Sequence, residues 1–337
     1  GTDGLPVARV IVEHKQAYRV KNAEGEYLAK ITGKHMFTAS SRDDYPAVGD
    51  WVAITDLGEG QAVIRRVLPR KTILKRKSSG KHEIQIIATN IDTAFIIESA
   101  DRDYNLNRFE RYIAIAKDGG IRPIIVLNKI DLISKDELES RITQVRNRFA
   151  ELDFIGTSTL THEGLEALKA SIAKGKTYCF LGSSGVGKSS LINQLIGQEV
   201  IETSQISSPG RGRHTTTRRE MYFLEAGGIV IDNPGMREVG MTEVGDGIHS
   251  LFDEITSLAR QCKYADCTHI HEPGCAVLAA VKSGQLDEDQ YRNYLHLKKE
   301  AEYYEMTEQQ KRQKESEFGK FVKKAKDHLR RFGHKDY

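Results

Sequence analysis

Between residues 7 and 68 the chain alternates apolar and polar positions in short runs. Segments 7–12, 17–20, 27–31, 50–54 and 62–64 each read as a strand, separated by turn signals such as Asn22-Ala23-Glu24-Gly25 and Leu57-Gly58-Glu59-Gly60. Short strands at this spacing predict a small closed barrel of the OB type. The pattern then changes. Segments 84–88, 93–97, 123–127, 177–181 and 228–232 are nearly continuous apolar runs, as expected of strands buried on both faces. Between them, residues 108–116 put Phe109, Ile113 and Ala116 on one helical face, Gly164 and Leu165 open a short helix through Leu168, and Leu191, Ile192, Leu195 and Ile196 recur at helical spacing until Gly197. Strands alternating with helices predict an α/β domain with a mostly parallel sheet. Phe252, Ile255 and Leu258 predict a helix ending near Arg260, and Tyr291, Tyr294, Leu295 and Leu297 belong to another.

The richest chemistry follows the strand at 177–181. Gly182-Ser183-Ser184-Gly185-Val186-Gly187-Lys188-Ser189, with Ser190 behind it, fits the phosphate-loop pattern G-x-x-x-x-G-K-S, with a strand before it and a helix after. Its glycines let main-chain N–H groups close around phosphate at a helix N-terminus. Lys188 is placed to reach the β- and γ-phosphates, and the Ser189 hydroxyl to ligate Mg²⁺. Upstream, the strand at 123–127 ends in Asn128-Lys129-Ile130-Asp131. An N-K-x-D at a strand end suits guanine: Asp131 accepts from N1–H and the exocyclic amine, Asn128 suits the O6/N7 edge, and the Lys129 stem lies along the ring. Desolvated polar recognition of this kind discriminates strongly, because a wrong base leaves buried groups unpaired. Thr157-Ser158-Thr159 is either the loop that closes over guanine, with Ser158 in contact, or a plain strand-to-loop transition.

Two more segments complete the set. Residues 208–219, rich in Gly, Arg and Thr, read as a switch I loop in which Thr216, or its neighbour Thr215 or Thr217, offers a hydroxyl to Mg²⁺. Asp232-Asn233-Pro234-Gly235 ends a strand as D-x-x-G, with Asp232 holding Mg²⁺ through a water and the Gly235 N–H meeting the γ-phosphate. Ras-like enzymes carry a glutamine after this glycine to orient the attacking water; this chain has Met236. His214, beside the switch threonines, is the candidate for that task, with an RNA contact as the alternative. The order is unusual: N-K-x-D precedes the phosphate loop. A parallel sheet tolerates such a circular permutation because each strand keeps its neighbours.

Composition narrows the partners and compartment. Net charge is only +3, so global charge alone does not demand nucleic acid. No apolar run reaches the roughly 18 residues of a membrane span, and the N-terminus, starting at Gly1-Thr2, shows no cationic-then-apolar signal pattern, so a cytoplasmic protein is expected. Three of the 4 cysteines cluster with histidine in Cys262, Cys267, His269 and Cys275. Three thiolates and an imidazole make a closed structural zinc set, with His271 the rival imidazole; Cys179 stands apart as buried packing. The basic run 69–81 reads as a linker that also touches RNA backbone or is merely solvated. The barrel cations Arg9, Lys15, Arg19, Lys30, Lys34, Arg42, Arg65 and Arg66, and the tail from Lys320 to Lys335, are either phosphate contacts or solvated positions. The predicted architecture is therefore multidomain: an OB-type β-barrel (1–73), a circularly permuted α/β P-loop GTPase domain (74–243) and a helical zinc-binding domain with a basic tail (244–337).

Taken together these motifs resemble the RsgA family of circularly permuted GTPases. Gly210-Arg211-Gly212-Arg213-His214-Thr215-Thr216-Thr217 is similar to the family's switch I, Asn128–Asp131 and Gly182–Ser190 to its GTP contacts, and the C-x4-C-x-H-x5-C spacing to its zinc module, which selects His269 over His271. The resemblance implies GTP hydrolysis stimulated by the 30S ribosomal subunit, contact with 16S rRNA, and a role in late small-subunit maturation. The absence of coiled-coil heptads suggests a monomer. Asn233 stands where the family usually has threonine or serine, and the extension beyond Tyr304 looks longer and more basic than the family core. Two classes stay open: a ribosome-dependent GTPase, and an RNA-binding assembly chaperone for which nucleotide is mainly a structural ligand.

Overall fold

The computed structural model describes residues 4–14, 17–31, 44–77, 84–101, 104–201, 219–232 and 246–306, with isolated helical positions at 310, 313, 316, 320, 322 and 324. Strands β1 (Val7–Glu13), β2 (Tyr18–Lys21), β3 (Glu26–Ile31), β4 (Trp51–Gly58) and β5 (Gln61–Val67) form the first module. Pairing runs β1–β2–β3–β5–β4 and returns from β4 to β1, which closes the barrel. Alternation explains its interior: Tyr18 and Val20, then Ala62 and Ile64, point inward beside Val10, Val52 and Ile54, while Arg19, Gln61 and Val63 between or beside them are more exposed.

The second module is a sheet in the order β10-β9-β8-β11-β13-β12, where β8 is Thr93–Ser99, β9 Arg122–Asn128, β10 Phe154–Thr157, β11 Thr177–Leu181, β12 Glu220–Phe223 and β13 Ile229–Asp232. The first five run parallel and only β12 is antiparallel to its neighbour β13. Helices α1 (Leu106–Asp118), α2 (Lys135–Arg148), α3 (Leu165–Ala170) and α4 (Lys188–Ile196) accompany it. Both faces are covered: Ala94, Ile96, Ile125 and Leu127 enter one core, and Phe95, Ile97, Ile124 and Val126 the other. That two-sided burial is why these strands read as unbroken apolar runs.

The expected linker at 69–81 is corrected by the structure. Its Ile73–Lys77 stretch is a strand, β6, paired antiparallel with β7 (Ile84–Thr89). Leu74 is fully buried beside Ile87, and the Thr72 hydroxyl donates to the Ile91 carbonyl at 2.7 Å. Leu74 anchors the strand from within, while its neighbours Lys75 and Arg76 are only half-buried. This hairpin meets the barrel at Asp50, fully buried, which accepts from Arg70 Nε (2.8 Å), Arg70 Nη2 (2.7 Å), the Thr89 hydroxyl (2.7 Å) and the Ala47 N–H (2.8 Å). A second seam joins β1 to β12, with Val12 opposite Glu220, and Arg219 donates to Glu13 at 3.0 Å.

The third module contains α5 (Asp246–Leu251), α6 (Asp253–Ala259), α7 (Ala276–Ser283) and α8 (Glu288–Glu305). Its apolar residues Phe252, Ile255, Val277, Tyr294 and Leu297 merge with the core on one face of the sheet, so the helices are packed onto the α/β module. Arg111 of α1 grips Glu300 of α8 through two bonds of 2.8 and 2.7 Å. Arg148 at the end of α2 donates to Glu110 (2.7 Å), Asp289 (3.0 Å) and Asn107 (3.0 Å), and Asn293 of α8 donates to the other oxygen of Glu110. Among the described residues, no helix is long and apolar enough to cross a membrane.

Candidate nucleotide site and metal centre

The carboxyl ends of β9, β8 and β11 lie together at one edge of the sheet, the place where open parallel sheets bind ligands. From β11 the chain turns through Gly182 into the loop. A Cβ at Gly182 would fall 2.1 Å from the Ile97 carbonyl oxygen, so the close approach to β8 requires glycine. Gly187, at φ +100°, caps α4. Lys188 opens the helix and donates from Nζ to the carbonyls of Gly182 (2.8 Å) and Ser183 (2.5 Å), folding back over the loop it would share with a phosphate. Val186 is buried, Ser184 and Gly185 are exposed, and Ser183, Ser189 and Ser190 are half-buried.

Asn128 ends β9 fully buried. Its Nδ2 donates to the Val186 carbonyl at 2.8 Å, and its Oδ1 accepts from the Thr157 hydroxyl at 3.0 Å. Lys129, left-handed at φ +60°, donates from Nζ to the Gly185 carbonyl at 2.6 Å and lies 3.9 Å from Asp101. The N-K-x-D segment is thus bonded directly to the phosphate loop, although 58 residues separate Asn128 from Val186. Asp131 follows, half-exposed, in a single turn of 3-10 helix over Ile130–Leu132. Ser158 is fully buried; its hydroxyl accepts from the N–H groups of Leu160 (3.2 Å) and Thr161 (3.0 Å), which shapes the neighbouring loop. Asp232 sits half-buried at the end of β13, beside β11. His214, Thr215, Thr216, Thr217, Asn233, Gly235 and Met236 lie outside the described residues.

Two contributions were not read from the sequence. Thr157, by bonding Asn128, ties β10 into the same unit. Glu98, fully buried at the end of β8, accepts from the Ser183 hydroxyl at 3.4 Å and lies 3.8 Å from Arg108. A carboxylate interrupting the apolar run Thr93-Ala94-Phe95-Ile96-Ile97-Glu98 was the available signal.

Between α6 and α7, Cys262, Cys267, His269 and Cys275 bring one ligand atom each to within 4.8 Å of one another. His269 Nδ1 stands 3.6 Å from Cys262 Sγ and 3.5 Å from Cys275 Sγ. His269 is buried whereas His271 is exposed. Burial, with Lys298 adding to it, lowers the His269 pKa and favours the neutral imidazole that metals bind. Burial of Cys262 opposes its ionisation, but the N–H groups of Ala276 and Val277 at the start of α7 prevail and its pKa is lowered; Cys267 is pushed up to about 11 by burial. Ligand type, number and convergence fit a closed tetrahedral zinc site. Cys179, fully buried in β11, takes no part, and burial raises its thiol pKa.

A closed barrel, a nucleotide-binding sheet carrying N-K-x-D ahead of its phosphate loop, and a Cys3His helical module define a circularly permuted P-loop GTPase fold with an OB-type N-terminal barrel. The RsgA GTPase family model matches residues 67–242, and the 50S ribosome-binding GTPase model matches 177–314. The small ribosomal subunit biogenesis GTPase RsgA 1 of Bacteroides thetaiotaomicron is 43% identical over 94% of this chain and 89% of its own length. RsgA 2 of Lactiplantibacillus plantarum is 42% identical over 91% and 87%. The crystal structure of YjeQ from Thermotoga maritima superposes with TM-score 0.67 at 28% identity, covering 88% of this chain and 98% of that one. YloQ, described as a circularly permuted GTPase, gives 0.64 at 22% identity over 90% and 97%, a likeness of fold. The chain belongs to the RsgA GTPase family.

Proposed function

We propose that this chain is a GTP hydrolase that acts on the small ribosomal subunit during its maturation, in keeping with the name small ribosomal subunit biogenesis GTPase that its relatives carry. The observation that carries this reading is the bond from Asn128 to the Val186 carbonyl, which makes base recognition and phosphate binding one rigid unit. Asp131 reads the N1–H and exocyclic amine of guanine, and Lys129 flanks the ring. Since one N–H of Asn128 is already bonded to the Val186 carbonyl, its second N–H is the donor that remains for the accepting O6/N7 edge of the base. Ser158 belongs to the loop that closes over guanine.

Main-chain N–H groups from Gly182 to Ser190 surround the phosphates, with Lys188 turning from its two carbonyls toward the β- and γ-oxygens. The hydroxyl of Ser189, Thr216 of switch I and, through water, Asp232 form the set that would hold Mg²⁺; the hard-oxygen character of these donors fits that ion. Bound there, the ion supplies charge neutralisation at the phosphates. Gly235 donates to the γ-phosphate and His214 orients the attacking water. Zinc at Cys262, Cys267, His269 and Cys275 supplies folding energy only, since four protein ligands leave no open position.

The expected partners are the 30S subunit and its 16S rRNA, met by a cytoplasmic monomer. The domains proposed are 1–73, 74–243 and 244–337. Turnover measured with GTP and ATP, with and without purified 30S subunits, tests the reading: GTP alone should be hydrolysed, and faster with 30S. Equal use of ATP removes the guanine assignment; absence of stimulation favours the chaperone. His214→Ala should lower kcat on the ribosome by at least about 100-fold, the usual scale of a lost water-positioning group, with GTP affinity unchanged.

A further inference from the structure

The loop that presents His269 has two imidazoles to offer, at 269 and 271, and only one turns inward. We infer that the Glu272 carboxylate decides which. Its Oε1 accepts from the Thr268 N–H at 2.9 Å and from the Thr268 hydroxyl. Its Oε2 accepts from the N–H groups of Ile270 (3.0 Å) and His271 (3.1 Å). Three main-chain donors on both sides of His269 therefore converge on one side chain. The carboxylate itself stays outside the ligand cluster, although carboxylates can bind zinc.

The backbone held in this way is uncommon for a residue that carries a side chain. His269 adopts φ +65°, a left-handed conformation in which side chains crowd the following carbonyl. Held there, its ring is buried with Nδ1 facing the Cys262 and Cys275 sulfurs. A second restraint acts on the same residue from α8: the buried Tyr291 hydroxyl donates to the His269 carbonyl at 2.6 Å. Glu272 fixes the amides around the ligand and Tyr291 fixes its carbonyl. Without the carboxylate, three N–H groups lose their acceptor, the left-handed turn is no longer imposed, and His271 competes for the fourth position. Glu272 is thus a positioning residue for the metal centre. This inference rests on the zinc reading of the Cys3His cluster.

The test is zinc content and affinity of the full-length protein, by elemental analysis and by competition with a chromogenic chelator, supported by the visible spectrum of the Co²⁺-substituted protein. Glu272→Gln keeps one acceptor oxygen, and its NH2 group, even when turned to the Thr268 side, faces a main-chain N–H there and leaves it without an acceptor. It should weaken zinc binding by about 10- to 100-fold, the usual effect of removing a group that orients a ligand. His271→Ala should be silent in the parent protein, yet weaken binding further in the Glu272→Gln background. Glu272→Asp, which keeps the carboxylate on a shorter stem, should fall between. A parent protein without zinc overturns the metal assignment and this inference together. A parent that holds zinc while Glu272→Gln binds it equally tightly overturns this inference alone. A His271→Ala effect that is silent in both backgrounds rejects the selection of His269 over His271.

Discussion

Replacing Arg148 with methionine tests how the C-terminal helices are held to the nucleotide-binding module. Glu110 on α1 is fully buried, and the largely buried Arg148 donates to it at 2.7 Å. Methionine fills much of the space but leaves the carboxylate with Asn293 as its remaining named partner. Breaking a buried pair from one side costs about 3–5 kcal/mol, because a desolvated charge is left behind. At roughly 2 °C per kcal/mol for a chain of this size, the unfolding midpoint should drop by about 6–10 °C at neutral pH. The pH dependence identifies the cause. Burial raises the Glu110 pKa and Arg148 is the main influence lowering it, so the substitution raises it further. A carboxyl whose folded pKa is raised favours the protonated native state. The deficit is therefore complete above the folded pKa and shrinks as pH falls toward the unfolded value of about 4.3. Scanning calorimetry of parent and variant between pH 5 and 8 should show the gap narrowing on the acid side, and the double variant Glu110→Gln/Arg148→Met should recover much of the loss. An equal deficit at both ends, or no recovery in the double variant, refutes the reasoning.

Two further changes probe the joints around the site. Gly187→Ala would place a Cβ 2.3 Å from Asn128 Nδ2 at φ +100°. Backbone strain of about 1–3 kcal/mol predicts roughly 5- to 150-fold weaker nucleotide binding, read by titration with a fluorescent GTP analogue while circular dichroism stays unchanged. Asp50→Ala leaves Arg70, with its side chain 11% exposed, facing a lost counter-ion at the barrel seam. It should cost about 3–5 kcal/mol and open the segment around 69–72 to protease, measured by thermal unfolding and limited proteolysis.

How much of this was legible in the sequence depended on how far apart the interacting partners lie along the chain. The phosphate loop, the buried strands and the Cys3His set announce themselves because their chemistry is local: glycines where a backbone must pass close, apolar runs where both faces are covered, ligands within 14 positions of one another. Helix α2 was missed because Val145 is its one buried residue, so no apolar stripe marks it. Its start was nonetheless written in Ser134 and Glu137, a capping-box spacing, with the Ser134 hydroxyl accepting from the Glu137 N–H at 3.3 Å. Strand β6 was hidden by lysine and arginine around Leu74. The tie from Asn128 to Val186 was beyond reach, since a backbone carbonyl carries no residue-type signal.

The permutation gives these distant ties their mechanical meaning. In this chain order the sheet's β12 edge continues into the barrel through β1, and α1, leaving the end of β8 beside the phosphate loop, is the helix that α8 grips. Glu98 stands at that corner, accepting from Ser183 of the loop and lying near Arg108 on α1. A change in the phosphate loop therefore has a short physical route to the helices of the Cys3His module, through Glu98 and α1 to the Glu110–Arg148–Asn293 cluster. That adjacency fixes where coupling between the two must be measured. A double-mutant cycle combining Arg111→Ala with Glu300→Ala should leave GTP affinity of the isolated protein unaltered if the helices merely rest on the sheet. A shared change in nucleotide affinity, equal in the single and double variants, would mean that the grip on α8 is felt at the phosphate loop.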